Sequence, residues 1–251
     1  MSAPRFYLFR GVTMSDLKAE FILNFIKENR WKFIVTGLEN TLIITFFSLI
    51  IGVVLGIVVA IVRSSYDKTY SEMKNGFKKF LMFIANAICK LYLTVIRGTP
   101  VVVQLMIMYY IIFASSRNSL MVAVLAFGIN SGAYVAEIVR SGIMSIDPGQ
   151  FEAGRSLGFD YKSTMWHIII PQAFKNVLPA LANEFIVLLK ETSVAGYVTI
   201  RDLTMGGNII RAATYSPFMP LIAVAVIYLV LVIFFTKLVN ILERRLRKNE
   251  R

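Results

Sequence analysis

Four stretches of this chain, 40–62, 98–116, 118–136 and 218–236, run 19 residues or more without a charged side chain. Each is long enough to cross the roughly 30 Å hydrocarbon core of a bilayer as a helix. Each is apolar all round, whereas a helix in a soluble bundle is apolar on one face only. The pattern predicts an all-α, polytopic membrane protein with about five spans. The first covers 33–63 and the second 80–114, with a kink expected where Pro100 removes the donor that Ile96 needs. The third runs over 120–140. The fourth, over 166–190, is interrupted by Pro171 and Pro179 and charged by Lys175, Glu184 and Lys190. No lipid-facing helix tolerates that composition, so an interior helix shielded by the others is expected. The last span covers 218–236 and ends in a basic tail.

Two segments break the apolar pattern without crossing. Residues 1–14 show no periodicity, and from Ser15 the positions Leu17, Phe21, Ile22, Phe25 and Ile26 recur at helical spacing with Lys18, Lys27 and Arg30 between them. This predicts an interfacial amphipathic helix rather than a secretory signal, or alternatively a helix that docks a partner. Residues 146–165 are polar and carry their own punctuation. Asp147 is placed to cap a helix starting at Pro148, Gln150 to close a capping box, Gly158 to stop it left-handed, and Asp160 to cap the next. About ten residues at 1.5 Å each give a rod of roughly 15 Å, half a bilayer core. It is expected outside the membrane, either as a plain loop or as a knob that seats in another protein's groove. A third segment, 192–217, holds Gly196, Gly206, Gly207 and Pro217 and predicts broken helix between the last two spans.

Composition agrees: 57% of the 251 residues are hydrophobic and the mean hydropathy is +0.66. The net charge of +12 does not point to nucleic acid, because many of the basic residues flank apolar spans and no nucleic-acid module is present. With the C-terminal tail inside, thirteen basic residues fall on inward segments, against Arg117, Arg201 and Arg211 outside. Five spans then put the N-terminus outside, where its six basic residues run against the positive-inside rule. One cysteine, Cys89, excludes an intrachain disulfide. Lone His167 is expected to pack rather than ligate, and no metal site or catalytic constellation is read. The absence of Gly-x4-Gly-Lys-Ser/Thr means that no phosphate-cradling loop is present.

Within the spans, Gly52xxxGly56 and Gly128xxxGly132 offer close-packing faces, or are simply the glycines membrane helices commonly carry. Asn130, Ala133, Glu137 and Ser141 form a polar stripe that should face protein or water, with Glu137 and Arg140 spaced to pair. Arg97 is expected to find an acceptor or water, or to snorkel to an interface.

EAGRSLG at 152–158, IIIP ending at Pro171 and LPAL at 178–181 resemble the EAA loop of ABC-importer permeases. RGTPVVVQ at 97–104, NSGAYVAEIVRSGI at 130–143 and NEFIVLLKETS at 183–193 are similar to the polar amino-acid uptake branch of that superfamily, and the likeness covers about 34–242. The resemblance implies a type I permease domain over 33–242, with a coupling loop at 146–165, between an N-terminal segment (1–32) and a cytoplasmic tail (243–251). It implies a multi-pass subunit of a prokaryotic cell membrane that is not itself an enzyme and binds no cofactor. ATP and Mg would be used by a dimeric ATPase partner. The other partners would be a second permease copy or a paralogue, an extracytoplasmic binding protein, and lipid. Contact with the ATPase falls to Gln150, Phe151, Glu152, Ala153, Gly154, Arg155, Leu157 and Gly158. The solute path is assigned to Glu184, Leu188 and Glu191, with Arg97, Thr99 and Asn130 at its wall. The solute would be a polar amino acid, a class that includes the basic ones. Alternatively Glu184, Lys190 and Glu191 pair with Lys175 or one another and only hold the helix. The rival functions are a type I permease for another solute, an ATP-independent secondary carrier and a membrane scaffold.

Overall fold

A computed structural model describes residues 14–71 and 73–248; the expectation for 1–14 lies almost wholly outside them. The described residues form helices and turns with no strand. They comprise α1 (Met14–Phe21), α2 (Trp31–Thr69), α3 (Phe77–Gly98), α4 (Val101–Ile107), α5 (Ser119–Met144), α6 (Gly149–Ser156), α7 (Tyr161–Thr164), α8 (Ile170–Glu191), α9 (Leu203–Thr214) and α10 (Phe218–Lys248). Four of these, α2, α3, α5 and α10, are long and apolar enough to cross a membrane. The charges of α8 keep it out of that set, although its 22 residues span about 33 Å.

The two GxxxG faces meet each other. A Cβ on Gly56 would lie 2.5 Å from Val135 Cγ1, and one on Gly52 would lie 3.0 Å from Ser131 Cβ. From the other side, a Cβ on Gly128 would lie 2.8 Å from Ile51, and one on Gly132 3.1 Å from Leu55. Lipid offers helices no hydrophobic reason to associate, so van der Waals packing at such close approaches must hold them. The α2–α5 pair is therefore the spine of the molecule. A core of Ile44, Leu105, Phe127, Leu188 and Val198 packs against it. A second core, around Ile34, Leu203, Ile210 and Val224, joins α9 and α10 to the other end of α2.

Several boundaries differ from expectation. Helix α2 does not stop at Arg63 but continues to Thr69, where Tyr66 and Tyr70 stack at 4.4 Å. The kink at Pro100 is a full break: Thr99 and Pro100 are both extended, and α4 starts afresh at Val101. The prolines do not interrupt α8. Pro171 sits in its first turn, directly after the π-helical turn Met165–Ile169 that departs from regular α-helix there, and the helix passes through Pro179 unbroken. Nor is α8 shielded on every side by this chain, since Phe174 and Val187 are exposed. The last helix carries the basic tail on to Lys248.

The N-terminal segment is stapled down rather than merely laid on a surface. Fully buried Asn24 donates to Glu20 O (2.9 Å) and accepts from Thr214 Oγ1 (2.8 Å), while Ser216 donates to Glu20 (2.9 Å). Phe21, Ile22 and Ile26 stay exposed, which keeps the apolar face expected of an interfacial helix. In the 192–217 segment, buried Asp202 caps α9 by accepting from Thr204 N and Met205 N.

Candidate functional site

Helices α5 and α8 touch at two levels. Ser131 donates to Glu184 Oε1 at 2.8 Å. Eleven residues further along α5, about 16 Å on, Gly142 lies so close to Val177 that a Cβ there would collide with it. Between these ties opens a cavity of about 450 Å³, whose lining includes Arg97, Tyr134, Glu137, Ser141, Asn176 and Glu184. Arg97 ends α3, where a helix C-terminus favours a cation. Its guanidinium lies 3.5 Å from Glu137 Oε2 and 5.9 Å from the centre of the Tyr134 ring. Arg97 thus finds its acceptor, and Glu137 also meets Arg140 at 3.8 Å, the pairing their spacing predicts. Glu184 is 8% exposed.

The break beside Arg97 is held by one side chain. Gln104 Nε2 donates to Ile96 O (2.8 Å), to Thr99 O (3.0 Å) and to Thr99 Oγ1 (2.8 Å), so the carbonyl that Pro100 deprives of a partner has one. Its Oε1 accepts from the buried Asn130 Nδ2 at 2.9 Å. Thr99 and Asn130 therefore do not line the cavity; they fix the break that aims Arg97. Gln104→Leu leaves Ile96 O and Asn130 short of partners and should cost about 1–3 kcal/mol. A thermal-shift assay on the purified protein should show the loss as a lower midpoint, with no change in membrane insertion.

The other proposed path residues disperse. Leu188 is completely buried in the core with Ile44 and Phe127, away from the cavity. Glu191 is half-buried and does not line it. Tyr134 and Asn176 went unrecognised in the sequence. The signal was spacing: Asn176, Ala180 and Glu184 fall at i, i+4 and i+8, and Tyr134, Glu137 and Ser141 at i, i+3 and i+7.

The loop before α8 forms the second feature. Helix α6 spans Gly149–Ser156. Asp147 Oδ1 accepts from Gly149 N at 2.7 Å, which gives the expected cap. The capping box does not form, because Gln150 turns to Gln172 instead, whose Nε2 donates to it at 3.3 Å. Gly158 is left-handed (φ 82°), and Asp160 accepts from Ser163 N at 2.8 Å to start α7. Those bonds from Ser163 hold the Asp160 carboxyl below its usual range. The cap is therefore intact at neutral pH and lost only as pH falls through that depressed value. Burial pushes the neighbouring Tyr161 hydroxyl up.

Gly154 is buried against Thr164, whose Cγ2 would lie 2.7 Å from a Cβ there, so α6 and α7 form one compact elbow. Phe151 stacks on Tyr161 at 6.3 Å. Glu152, Ala153 and Arg155 face outward, and Leu157 is 75% exposed. His167 stacks on Phe159 beside this elbow (6.5 Å). Among the described residues, no cluster of His, Cys, Asp and Glu could hold a metal ion.

Residues 76–248 match the model of the binding-protein-dependent transport system inner membrane component family. The arginine transport system permease protein ArtQ of Bacillus subtilis is 39% identical over 221 residues, 87% of this chain and 94% of that protein. The glutamine transport system permease protein GlnP of Escherichia coli is 37% identical over 178 residues, 68% of this chain and 81% of that one. The solved structure of an amino acid ABC transporter with histidines superposes with a TM-score of 0.76 at 38% identity, covering 94% of this chain and all of that one. With the family model matching more than half of the chain and the relatives agreeing, the chain belongs to the inner-membrane components of binding-protein-dependent transport systems.

Proposed function

We propose that this chain is the permease subunit of an ABC importer, and that its cavity passes a polar amino acid. The supporting observation is that Arg97 shares one cavity with Glu137 and Glu184. A zwitterion leaving water must have both its charges answered. Arg97 suits the α-carboxylate and the two carboxyls suit cationic groups. Two carboxyls against one guanidinium favour a solute with a second cationic group, such as arginine, lysine or protonated histidine. Of the names carried by the relatives, arginine transport fits that class, and glutamine transport fits only the broader one of polar amino acids.

Uphill import needs an energy source, which the α6–α7 elbow is built to receive. A separate ATPase dimer, using ATP and Mg, would grip the elbow between Gln150 and Gly158, chiefly by the exposed Glu152, Ala153, Arg155 and Leu157. The elbow lies at the C-terminal end of α2, where Lys68 reaches Phe151, and the N-terminal segment lies at the opposite end. In this reading the elbow and the C-terminal tail are cytoplasmic and the N-terminus is outside. A second copy or a paralogue covers the exposed side of α8, and a binding protein delivers solute from outside in a prokaryotic cell membrane.

The test is uptake into proteoliposomes that contain this chain with its ATPase and binding protein. Labelled arginine, lysine, histidine, glutamine and cystine should be offered separately. Saturable uptake of at least one, dependent on ATP inside, is expected. Equal uptake without ATP would make the chain a secondary carrier. ATP-driven uptake confined to a non-amino-acid solute would refute the assignment of the cavity.

A further inference from the structure

Between the cavity and the elbow runs a chain of side chains that neither site requires. Helix α2 leaves its uncharged run at Val62 and continues to Thr69, further than crossing demands. On that extension, adjacent residues reach three different helices. Asp67 Oδ2 lies 3.7 Å from Arg140 on α5. Lys68 Nζ lies 3.6 Å from the centre of the Phe151 ring on α6 and 5.6 Å from that of Tyr161 on α7. Arg140 reaches on to Glu137 Oε1 at 3.8 Å, and the other oxygen of Glu137 meets Arg97 at 3.5 Å. The sequence of contacts is continuous: α6, Lys68, Asp67, Arg140, Glu137, Arg97, cavity.

Two features make this a link that changes state rather than a brace. The pairs are long and partly exposed, with side chains 28–45% accessible, so each is individually weak and easily exchanged. And α6 is not close-packed where they meet it. A space of about 280 Å³ opens between Ser64, Lys68, Arg140, Ile146 and Phe151, which leaves α6 room to shift.

We propose that Asp67, Lys68, Arg140 and Glu137 form an exchangeable ionic link by which a carboxylate bound at Arg97 is sensed at α6. The link rests on the cavity reading given above. A solute carboxylate takes Arg97 from Glu137. Glu137 keeps Oε1 on Arg140, which it now draws closer, while Oε2 stays toward the cavity, and Arg140 loosens its hold on Asp67. The end of α2 is freed, and with it the Lys68–Phe151 contact that seats the elbow. Solute binding thereby biases one of two arrangements of the same element, which is what coupling between sites requires. Lys68 and Arg140 are positioning residues; neither touches solute.

The complete complex in nanodiscs, with ATPase and binding protein, tests this through the ratio of ATP hydrolysis with and without amino acid. Lys68→Met and Arg140→Gln should lower that ratio by about threefold or more. Basal hydrolysis and subunit stoichiometry should stay unchanged. Lys68→Arg and Arg140→Lys should restore it, since single long contacts do not need a particular cation. Asp67→Asn, which neutralises one half-exposed carboxyl, should give the same drop and covers the case in which Arg140→Gln fails to assemble. Full stimulation in Lys68→Met and Asp67→Asn overturns the link, as does a charge-conserving pair no better than the neutral one. A wild-type complex whose ATPase answers to no amino acid overturns the cavity reading instead.

Discussion

Gly56→Leu should yield no monodisperse protein on size-exclusion chromatography in detergent, while Gly76→Ala behaves as wild type. The difference lies in what each new Cβ meets. At Gly56 it would sit 2.5 Å from Val135 Cγ1 and 2.8 Å from the backbone nitrogen of Ala136, in the middle of the α2–α5 contact. Backbone cannot step aside, so the helices must separate. Overpacking of a tight core costs roughly 1–3 kcal/mol even when it can relax, and this contact is the one on which the other helices are assembled. At Gly76 nothing lies within 4 Å and the backbone is extended, so a methyl group is free. A Gly56→Leu protein that elutes sharply with an unchanged melting midpoint would show that the two GxxxG faces do not hold the molecule together.

Glu184→Gln should raise the apparent Km for uptake about 10- to 100-fold, the equivalent of losing a hydrogen bond to a charged group. Glutamine keeps the volume of the side chain and still accepts the Ser131 hydroxyl, now 2.8 Å from Oε1. The tie between α5 and α8 therefore survives and only the charge is lost. The melting midpoint should accordingly stay within about a degree or two of wild type. The opposite outcome, unchanged uptake with a falling midpoint, would identify Glu184 as a structural group of α8 and remove it from the path.

Local chemistry was the legible part of this chain. The caps at Asp147 and Asp160 and the left-handed Gly158 involve neighbours within three residues, so the sequence alone displays them. The GxxxG faces were visible too, though not their partners, because glycine spacing says that a helix will come close and not which one. The features that failed are those in which a distant group competes. Gln150 was expected to close a capping box, but Gln172, 22 positions away, takes its oxygen. Leu188 shares a helical face with Glu184 and Glu191 on paper, yet α8 is packed by α2, α5 and α10 at once, and the leucine went to the core.

Gln104 was passed over for a related reason. It lies inside the RGTPVVVQ motif, and its work is to reach back eight residues to the carbonyl of Ile96, a contact that exists only because the helix breaks. The Lys68–Phe151 contact joins positions 83 apart and has no signature along the chain. Charge and spacing did forecast the Glu137–Arg140 pair, and the cost of an arginine at depth, about 2.5–3.5 kcal/mol on insertion scales, did forecast that Arg97 would be partnered.

The short elbow as the place where ATP-derived force enters can be tested by cysteine crosslinking. Cys89 is replaced by serine, and single cysteines are placed at Arg155 and Leu157, both exposed on or just past the end of α6. Bifunctional thiol reagents are then applied to the assembled complex with ATPase subunits carrying surface cysteines. The expected result is a permease–ATPase adduct from both positions, whose yield changes when nucleotide is added, with no labelling of either cysteine in intact cells by a membrane-impermeant thiol reagent. No adduct from either position, or ready labelling from outside the cell, would contradict it.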